Sequence, residues 1–269
     1  MSKKSLSVNL NKIFNDNKNL FKIFLNFKNK LDSQNKKKYL IAVSGGPDSL
    51  ALVALTRAYN YKKKIKFYYV LVDHNIRKNS NLEAKKVKNL LLKKRVKLRI
   101  LLNKKKITKN IQAEARNSRY EILIKFCKKN GIKTLITAHN LEDQVETFFI
   151  RLSRGSGLKG LSAMKMISKI DNSVNLYRPL LDVKKFYLKK IAKYSFGKYF
   201  RDPSNKNNKY LRTKVRNLKK PLEKSGIKYD QIFRSIQNLS LSKVTLEENL
   251  NKIFKKLITK KKQRNFDQF

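Results

Sequence analysis

Ser44-Gly45-Gly46-Pro47-Asp48-Ser49 stands between an apolar run, Tyr39–Val43, and a helical pattern from Leu50 to Ala58. Its two glycines let the backbone turn tightly and approach a ligand with no Cβ in the way. Pro47 suits a first helical turn, where its missing N–H costs nothing. Ser44 and Ser49 add hydroxyls beside the unbonded N–H groups of a helix start. Such a loop is an anion site, and phosphate is the anion it predicts. The lysine of the Gly-x-x-x-x-Gly-Lys-Ser/Thr phosphate loop is missing. Asp48 stands at the helix start instead, and a carboxylate beside polyphosphate makes sense when a cation such as Mg²⁺ lies between them. A plain glycine-rich turn capped by Asp48 and Ser49 is the alternative reading.

A second cluster is Ala138-His139-Asn140-Leu141-Glu142-Asp143-Gln144-Val145-Glu146-Thr147. It places an imidazole and three carboxylates at a helix start. Asp143 and Glu146 are three apart and Glu142 and Glu146 four apart, so each pair can share a helix face. One reading makes Asp143 a second cation ligand, facing Asp48 across a bound polyphosphate. The other is structural, because a helix dipole favours acidic residues in its first turn. His139 follows a strand-like run and is expected in the pocket; a hydrogen-bonded core histidine is its alternative.

These groups need a scaffold, and the hydrophobic pattern supplies one. Strands are predicted at Tyr39–Val43, Ile65–Val72, Val96–Leu102 and Thr134–Ala138. Helices are predicted between and after them: Leu50–Ala58, Ser80–Lys94 with a Ser80/Glu83 capping box, Ile111–Lys129 ending at Asn130-Gly131, and Leu141–Leu152. Strands alternating with helices predict an α/β fold, a parallel twisted sheet with helices on both faces. Ligands of such sheets bind at the carboxyl ends of strands, where Ser44–Ser49, Asp73-His74 and His139 all fall. Residues 1–36 read as a helical lead-in, 37–216 as the phosphate-binding α/β domain, and 217–269 as a small helical C-terminal region with a disordered basic tail from Lys260. Between them, Gly155–Gly160 reads as a flexible connection, a helix is expected near Val183–Tyr194, and Asp202-Pro203-Ser204-Asn205 is turn chemistry.

Composition limits the partners. The 269 residues carry 66 Lys and Arg against 18 Asp and Glu, a net charge of +48. A polyanion, nucleic acid foremost, is the direct reading. An A+T-rich genome would also raise lysine, which outnumbers arginine 52 to 14. Arginines kept in such a chain point to sites that need a planar fork. Eight of them lie at 116, 119, 151, 154, 178, 201, 212 and 216. No run of about 18 apolar residues occurs, so no membrane span is expected. The single cysteine, Cys127, excludes an intrachain disulfide and a cysteine-rich metal site. The first residues do not read as a secretory signal.

Ser-Gly-Gly-x-Asp-Ser after a strand resembles the PP-loop of the ATP pyrophosphatases, which split ATP into AMP and pyrophosphate. The fuller pattern resembles the tRNA(Ile)-lysidine synthase family over roughly residues 38–216. It includes Val72-Asp73-His74-Asn75-Ile76-Arg77, Ala115-Arg116-Asn117-Ser118-Arg119-Tyr120, the 138–147 cluster, Arg151–Leu161, Arg178-Pro179-Leu180-Leu181, Asp202–Asn205 and Tyr210-Leu211-Arg212. Three departures occur: Asn140 and Glu142 replace a histidine and an aspartate, and Thr213-Lys214 replaces Asn-Arg.

The resemblance implies a Rossmann-like nucleotide-binding fold, ATP and Mg²⁺, free L-lysine, and a CAU-anticodon tRNA(Ile). ATP adenylates C2 of the wobble cytidine and lysine then displaces AMP to give lysidine. It assigns nucleotide binding to Ser44, Gly45, Gly46, Pro47, Asp48 and Ser49, metal to Asp48 and Asp143, and catalysis to Asp48, His139, Asp143, Glu146 and Arg212. Arg116, Arg119, Arg151, Arg154 and Arg216 become contacts to tRNA or phosphate, with helix-surface salt bridges as the alternative for Arg116 and Arg119. The resemblance also implies a homodimer in the cytoplasm, or in a mitochondrion or plastid. Another PP-loop tRNA-modifying enzyme is one rival reading, although thiolating members need more cysteines. A non-catalytic RNA-binding protein is the other, and it would leave the Asp, His and Gly motifs without a purpose.

Overall fold

The structure, a computed structural model, describes residues 13–14, 17–61, 63–76, 79–105, 111–200 and 210–266. Arg77, Arg201 and Asp202–Asn205 lie outside the described residues. The chain divides into two compact units, Met1–Leu141 with Lys165–Asn205, and Glu142–Met164 with Lys206–Phe269.

The first unit is built on a six-stranded sheet. Its strands are β1 (Lys38–Ala42), β2 (Lys66–Asp73), β3 (Leu98–Leu102), β4 (Thr134–Ile136), β5 (Ile167–Asp171) and β6 (Val174–Tyr177), in the order β3-β2-β1-β4-β6-β5. All neighbours pair parallel except β5 and β6, which form an antiparallel hairpin at one edge. Helices α1 (Lys18–Asp32), α2 (Pro47–Tyr59), α3 (Ser80–Lys93), α4 (Ile111–Lys129) and α7 (Lys185–Phe196) accompany this sheet.

Side-chain alternation along β1 divides the interior into two cores. Tyr39 and Ile41 join Leu50–Leu55 of α2, Ala84 and Leu91 of α3, and Leu188 and Ile191 of α7. Leu40 joins Val70, Leu135, Leu176 and, from α4, Leu123 and Cys127. With both faces covered, the strands read as nearly continuous apolar runs, as parallel strands buried on both sides do. Helix α2 is buried almost all round, from Ser49 to Thr56 and again at Ala58 and Tyr59. That is why Leu50–Ala58 carries no polar face.

Two expectations for the first unit need correction. The Ser80/Glu83 capping box does not form. Asn79 is the N-cap, its carbonyl accepts from Glu83 N–H at 3.0 Å, and Ser80 has already entered the helix. The strand expected from Val96 begins at Leu98, because Val96 N–H donates to Leu91 O at 2.9 Å and closes α3 instead. The hairpin β5–β6 was not anticipated at all.

The second unit is helical. It holds most of α5 (Leu141–Leu152), then α6 (Leu158–Leu161), α8 (Leu211–Asn217), α9 (Lys219–Lys224) and α10 (Tyr229–Phe266). Helix α10 is 38 residues long and continues through 260–262, where the sequence suggested a disordered tail. The stretch read as a flexible connection is tied back to α5 at and just beyond its C-terminal end. Gln144 exchanges two bonds with the Met164 backbone, at 2.9 and 2.8 Å, and Arg151 Nη1 donates to Gly160 O and Ala163 O at 2.7 and 2.9 Å. Among the described residues, no helix is long and apolar enough to cross a membrane.

Candidate active site

The strand order reverses between β1 and β4, which is where an open α/β sheet leaves a crevice at its carboxyl edge. The loop leaving β1 is Val43–Gly46 and the loop leaving β4 is Thr137–Asn140. Both belong to the first unit.

The β1 loop is held by its own hydroxyls. Ser44 N–H donates to Ser49 Oγ at 3.2 Å, and Ser49 Oγ donates to Gly46 O at 3.0 Å. Gly45 adopts φ +80°, and a Cβ there would lie 2.4 Å from Val87 Cγ2 and 3.5 Å from Phe200 Cδ2. Phe200 N–H also donates to Gly45 O at 3.0 Å. Gly46 is the N-cap of α2, Pro47 its first residue, and Asp48 lies in the first turn. The first intrahelical bond runs from Leu50 N–H to Gly46 O at 3.0 Å. The N–H groups of Gly46, Asp48 and Ser49 precede it and have no intrahelical acceptor. The result is a set of amides, hydroxyls and helix dipole suited to phosphate oxygens. Asp48 Oδ2 lies 3.3 Å from Lys185 Nζ, the first residue of α7.

At the β4 end, His139 is half-buried and its Nδ1 lies 2.8 Å from Thr137 Oγ1. Asn140 is fully buried, and Leu141 N–H donates to Val183 O at 3.1 Å. At the β2 end, His74 Nε2 accepts from Arg119 Nε at 3.2 Å. Burial, then the neighbouring Arg119 charge, push the His74 imidazole down to about 4. Arg116 is exposed and stacks over Tyr120, 5.2 Å from the ring centre. Cys127 is buried, and burial pushes its thiol up to about 12, so it is no nucleophile at neutral pH.

The second unit gathers the acidic face of α5 with the basic face of α8. Glu146, whose side chain is only 3% exposed, accepts from Arg212 Nε at 2.8 Å and from Arg216 Nε and Nη2 at 2.7 and 3.0 Å. Arg212 Nη2 reaches Asp143 Oδ1 at 3.0 Å, and Lys219 Nζ reaches Glu142 Oε1 at 3.3 Å. Burial opposes the Arg212 charge, but Asp143 and then Glu146 outweigh it, so its guanidinium is held more firmly charged. The burial of Tyr229 and the nearby Glu146 and Glu142 charges raise that phenol to about 12.

The structure thus brings Ser44–Ser49 and His139 to adjacent strand ends of one sheet. It joins Asp143, Glu146, Arg212 and Arg216 in one ion-pair network. Asp48 and Asp143 belong to different units. Arg151 holds loop carbonyls and buried Arg178 holds Lys165 O and Ser168 Oγ at 2.8 and 3.0 Å. Arg154 is exposed. Sequence reasoning missed Lys185, Lys219 and Gln144. In a chain so rich in lysine no single lysine stands out, and Gln144 sat unnoticed within a motif read for its acids.

The PP-loop domain matches residues 17–222. The chain belongs to the PP-loop domain family. Among curated relatives, it is 44% identical over 188 residues to the tRNA(Ile)-lysidine synthase of Orientia tsutsugamushi, covering 69% of this chain and 42% of that protein. It is 40% identical over 195 residues to that of Wolbachia pipientis wMel, covering 71% of this chain and 45% of the relative. The chain therefore spans under half the length of these two relatives. Among solved structures, the U34-tRNA thiolase NcsA from Methanococcus maripaludis superposes with a TM-score of 0.68 at 18% identity, covering 82% of this chain and 79% of that one. At that identity the likeness concerns the fold alone. The α/β reading, with its mostly parallel sheet and PP-loop, is thereby established.

No group of three or more His, Cys, Asp or Glu residues able to hold a metal occurs among the described residues. Mg²⁺ does not require one. It usually takes one or two carboxylates and completes its shell with water and substrate phosphates. Asp48, at the mouth of an amide-lined loop, fits that donor set.

Proposed function

We propose that this PP-loop protein joins free lysine to C2 of the wobble cytidine of a CAU-anticodon tRNA(Ile), using ATP. The observation that carries the reading is the loop at 44–49, with its fixed hydroxyls, left-handed glycine and first-turn aspartate, in a chain similar at 40–44% identity to two tRNA(Ile)-lysidine synthases. In the first step the C2 oxygen attacks the α-phosphorus and pyrophosphate leaves. In the second, the lysine ε-amine attacks C2, the C2–O bond breaks, AMP leaves and one amine proton is lost.

The loop amides and α2 dipole would hold the phosphate charge as it moves onto pyrophosphate. Asp48 would carry the Mg²⁺, which when bound neutralises that charge. The amine must shed a proton, and His139 is the better acceptor. Glu146, the other candidate, has its oxygens engaged by two guanidinium groups. It positions Arg212 and Arg216 instead. Asp143, which accepts from Arg212 at Oδ1, stays the proposed second cation ligand through its other oxygen. Arg116, Arg119 and Arg154 remain proposed contacts for tRNA phosphates, whereas Arg151 is committed to its own loop. A homodimer and a site of action in the cytoplasm, or in a mitochondrion or plastid, belong to the same reading.

The test is transfer of labelled lysine to unmodified CAU tRNA(Ile) with ATP and Mg²⁺, with the CAU methionine tRNA as control. Labelling of the isoleucine tRNA alone is expected. AMP release without lysine transfer would keep the PP-loop chemistry and discard lysidine. RNA binding without ATP turnover would discard the enzyme.

A further inference from the structure

We propose that Lys185 is a phosphate-contacting residue for ATP, supplying from α7 the cation that the 44–49 loop lacks. From Tyr39 to Thr56 the chain has no lysine or arginine, although 66 such residues occur in the whole. The loop therefore offers amides, hydroxyls and a negative Asp48 to a highly negative triphosphate. Lys185 Nζ stands 3.3 Å from Asp48 Oδ2, in the same compact unit.

Its anchorage is firm on both sides. Val183, two residues before, is buried and accepts from Leu141 N–H at 3.1 Å. Leu188 and Ile191, behind it, are buried in the core that also holds Leu50–Leu55 of α2. A cation in the first turn of a helix opposes the helix dipole. That placement is unfavourable for α7 and gains from an anion in front of it. The side chain is 30% exposed, so the ammonium borders the solvent from which a phosphate would arrive. With nucleotide bound, Asp48 would face the cation carried by the phosphates, and the Lys185 ammonium would pass to phosphate oxygens as a point charge.

This inference rests on ATP being the substrate, and the test separates the two. Binding of ATP and of AMP to the full chain is measured with Mg²⁺ by calorimetry, for the native protein, Lys185→Met, Lys185→Arg and Lys184→Met. Failure of the native chain to bind ATP would remove the ATP reading itself. Given binding, Lys185→Met should weaken ATP at least about tenfold and AMP less than about twofold. Lys185→Arg should recover most of the loss, and Lys184→Met, at the N-cap, should leave both affinities unchanged. Equal weakening of ATP and AMP, or no change in either, would overturn the proposal. If Lys185→Met does not fold, an ATP affinity in Lys185→Arg reduced in step with that for AMP would overturn it equally.

Discussion

A Cβ on residue 45 would meet Val87 Cγ2 at 2.4 Å, and the backbone there holds φ at +80°. Valine is branched at Cβ and has little freedom to retreat. Gly45→Ala is therefore expected to cost about 1–2 kcal/mol for the left-handed backbone and about 1–3 kcal/mol for the overlap. A lower urea midpoint, together with weaker ATP binding, would show it; an unchanged midpoint would mean that the loop is looser than its bonds indicate. Asp48→Asn keeps the shape and removes the charge. It should abolish ATP turnover while tRNA binding in a filter assay stays within about twofold. Undiminished turnover would rule out Asp48 as the Mg²⁺ carrier. Glu146→Gln separates two roles that sequence spacing left merged. A general base would lose the chemical step with little change in stability. A clamp for Arg212 and Arg216 would lose about 2 kcal/mol of stability, less than a fully buried pair because both arginines are about one-third exposed. The clamp outcome is expected, read from urea unfolding beside turnover.

Elements whose pattern was uniform along their length were legible in the sequence. Ile111–Lys129 and Leu141–Leu152 have the helical limits that their periodicity and the Asn130-Gly131 stop suggested. The four parallel strands were visible because both of their faces are buried. The β5–β6 hairpin was not, since its strands are short and β5 is half exposed, leaving only Asp171-Asn172-Ser173 as a turn signal. The acidic start of α5 was legible as a cluster, but its partners on α8 were not. Sixty-six residues separate Glu146 from Arg212, and no local pattern spans that distance. The contact between the end of β2 and α4 shows how packing sets a pH response. His74, with Asp73 beside it and Arg119 donating to it, titrates near 4 in the folded chain against an ordinary 6.5. Between those values the unfolded chain binds the extra proton, so stability falls as pH drops from about 6.5 to about 4 and is restored on raising it. Asp32, hydrogen-bonded to Lys63, and Asp171, hydrogen-bonded to Lys128, are both held at about 2, so their share is lost only at lower pH. Unfolding midpoints at pH 7, 5.5 and 4.5 should fall less steeply in His74→Gln than in the native chain. Parallel slopes would place the response elsewhere.

A charge of +48 acts over the whole molecule, whatever mixture of genome composition and selection produced it. Nucleic acid bound by such a surface releases counterions, and affinity falls steeply with salt in proportion to the phosphates neutralised. This electrostatic part carries no information about which tRNA is bound, because phosphates are alike in all of them. Any preference for one tRNA over another must therefore reside in turnover, or in contacts that survive at high salt. Two measurements distinguish these contributions. The affinities of CAU tRNA(Ile) and of the CAU methionine tRNA should fall together as salt rises, with a log–log slope steeper than about −5. Lysine transfer, where it occurs, should keep its preference for the isoleucine tRNA across the same range. Arg154, exposed at the turn after α5, tests an individual contact. Arg154→Gln should make the slope shallower by about one unit and weaken both tRNAs alike if it touches a phosphate. A loss confined to the isoleucine tRNA would make Arg154 a reader of identity, and no change in slope would remove it from the interface. A shallow slope in the native chain would mean that most of its lysines never meet RNA, and the excess charge would then reflect composition alone.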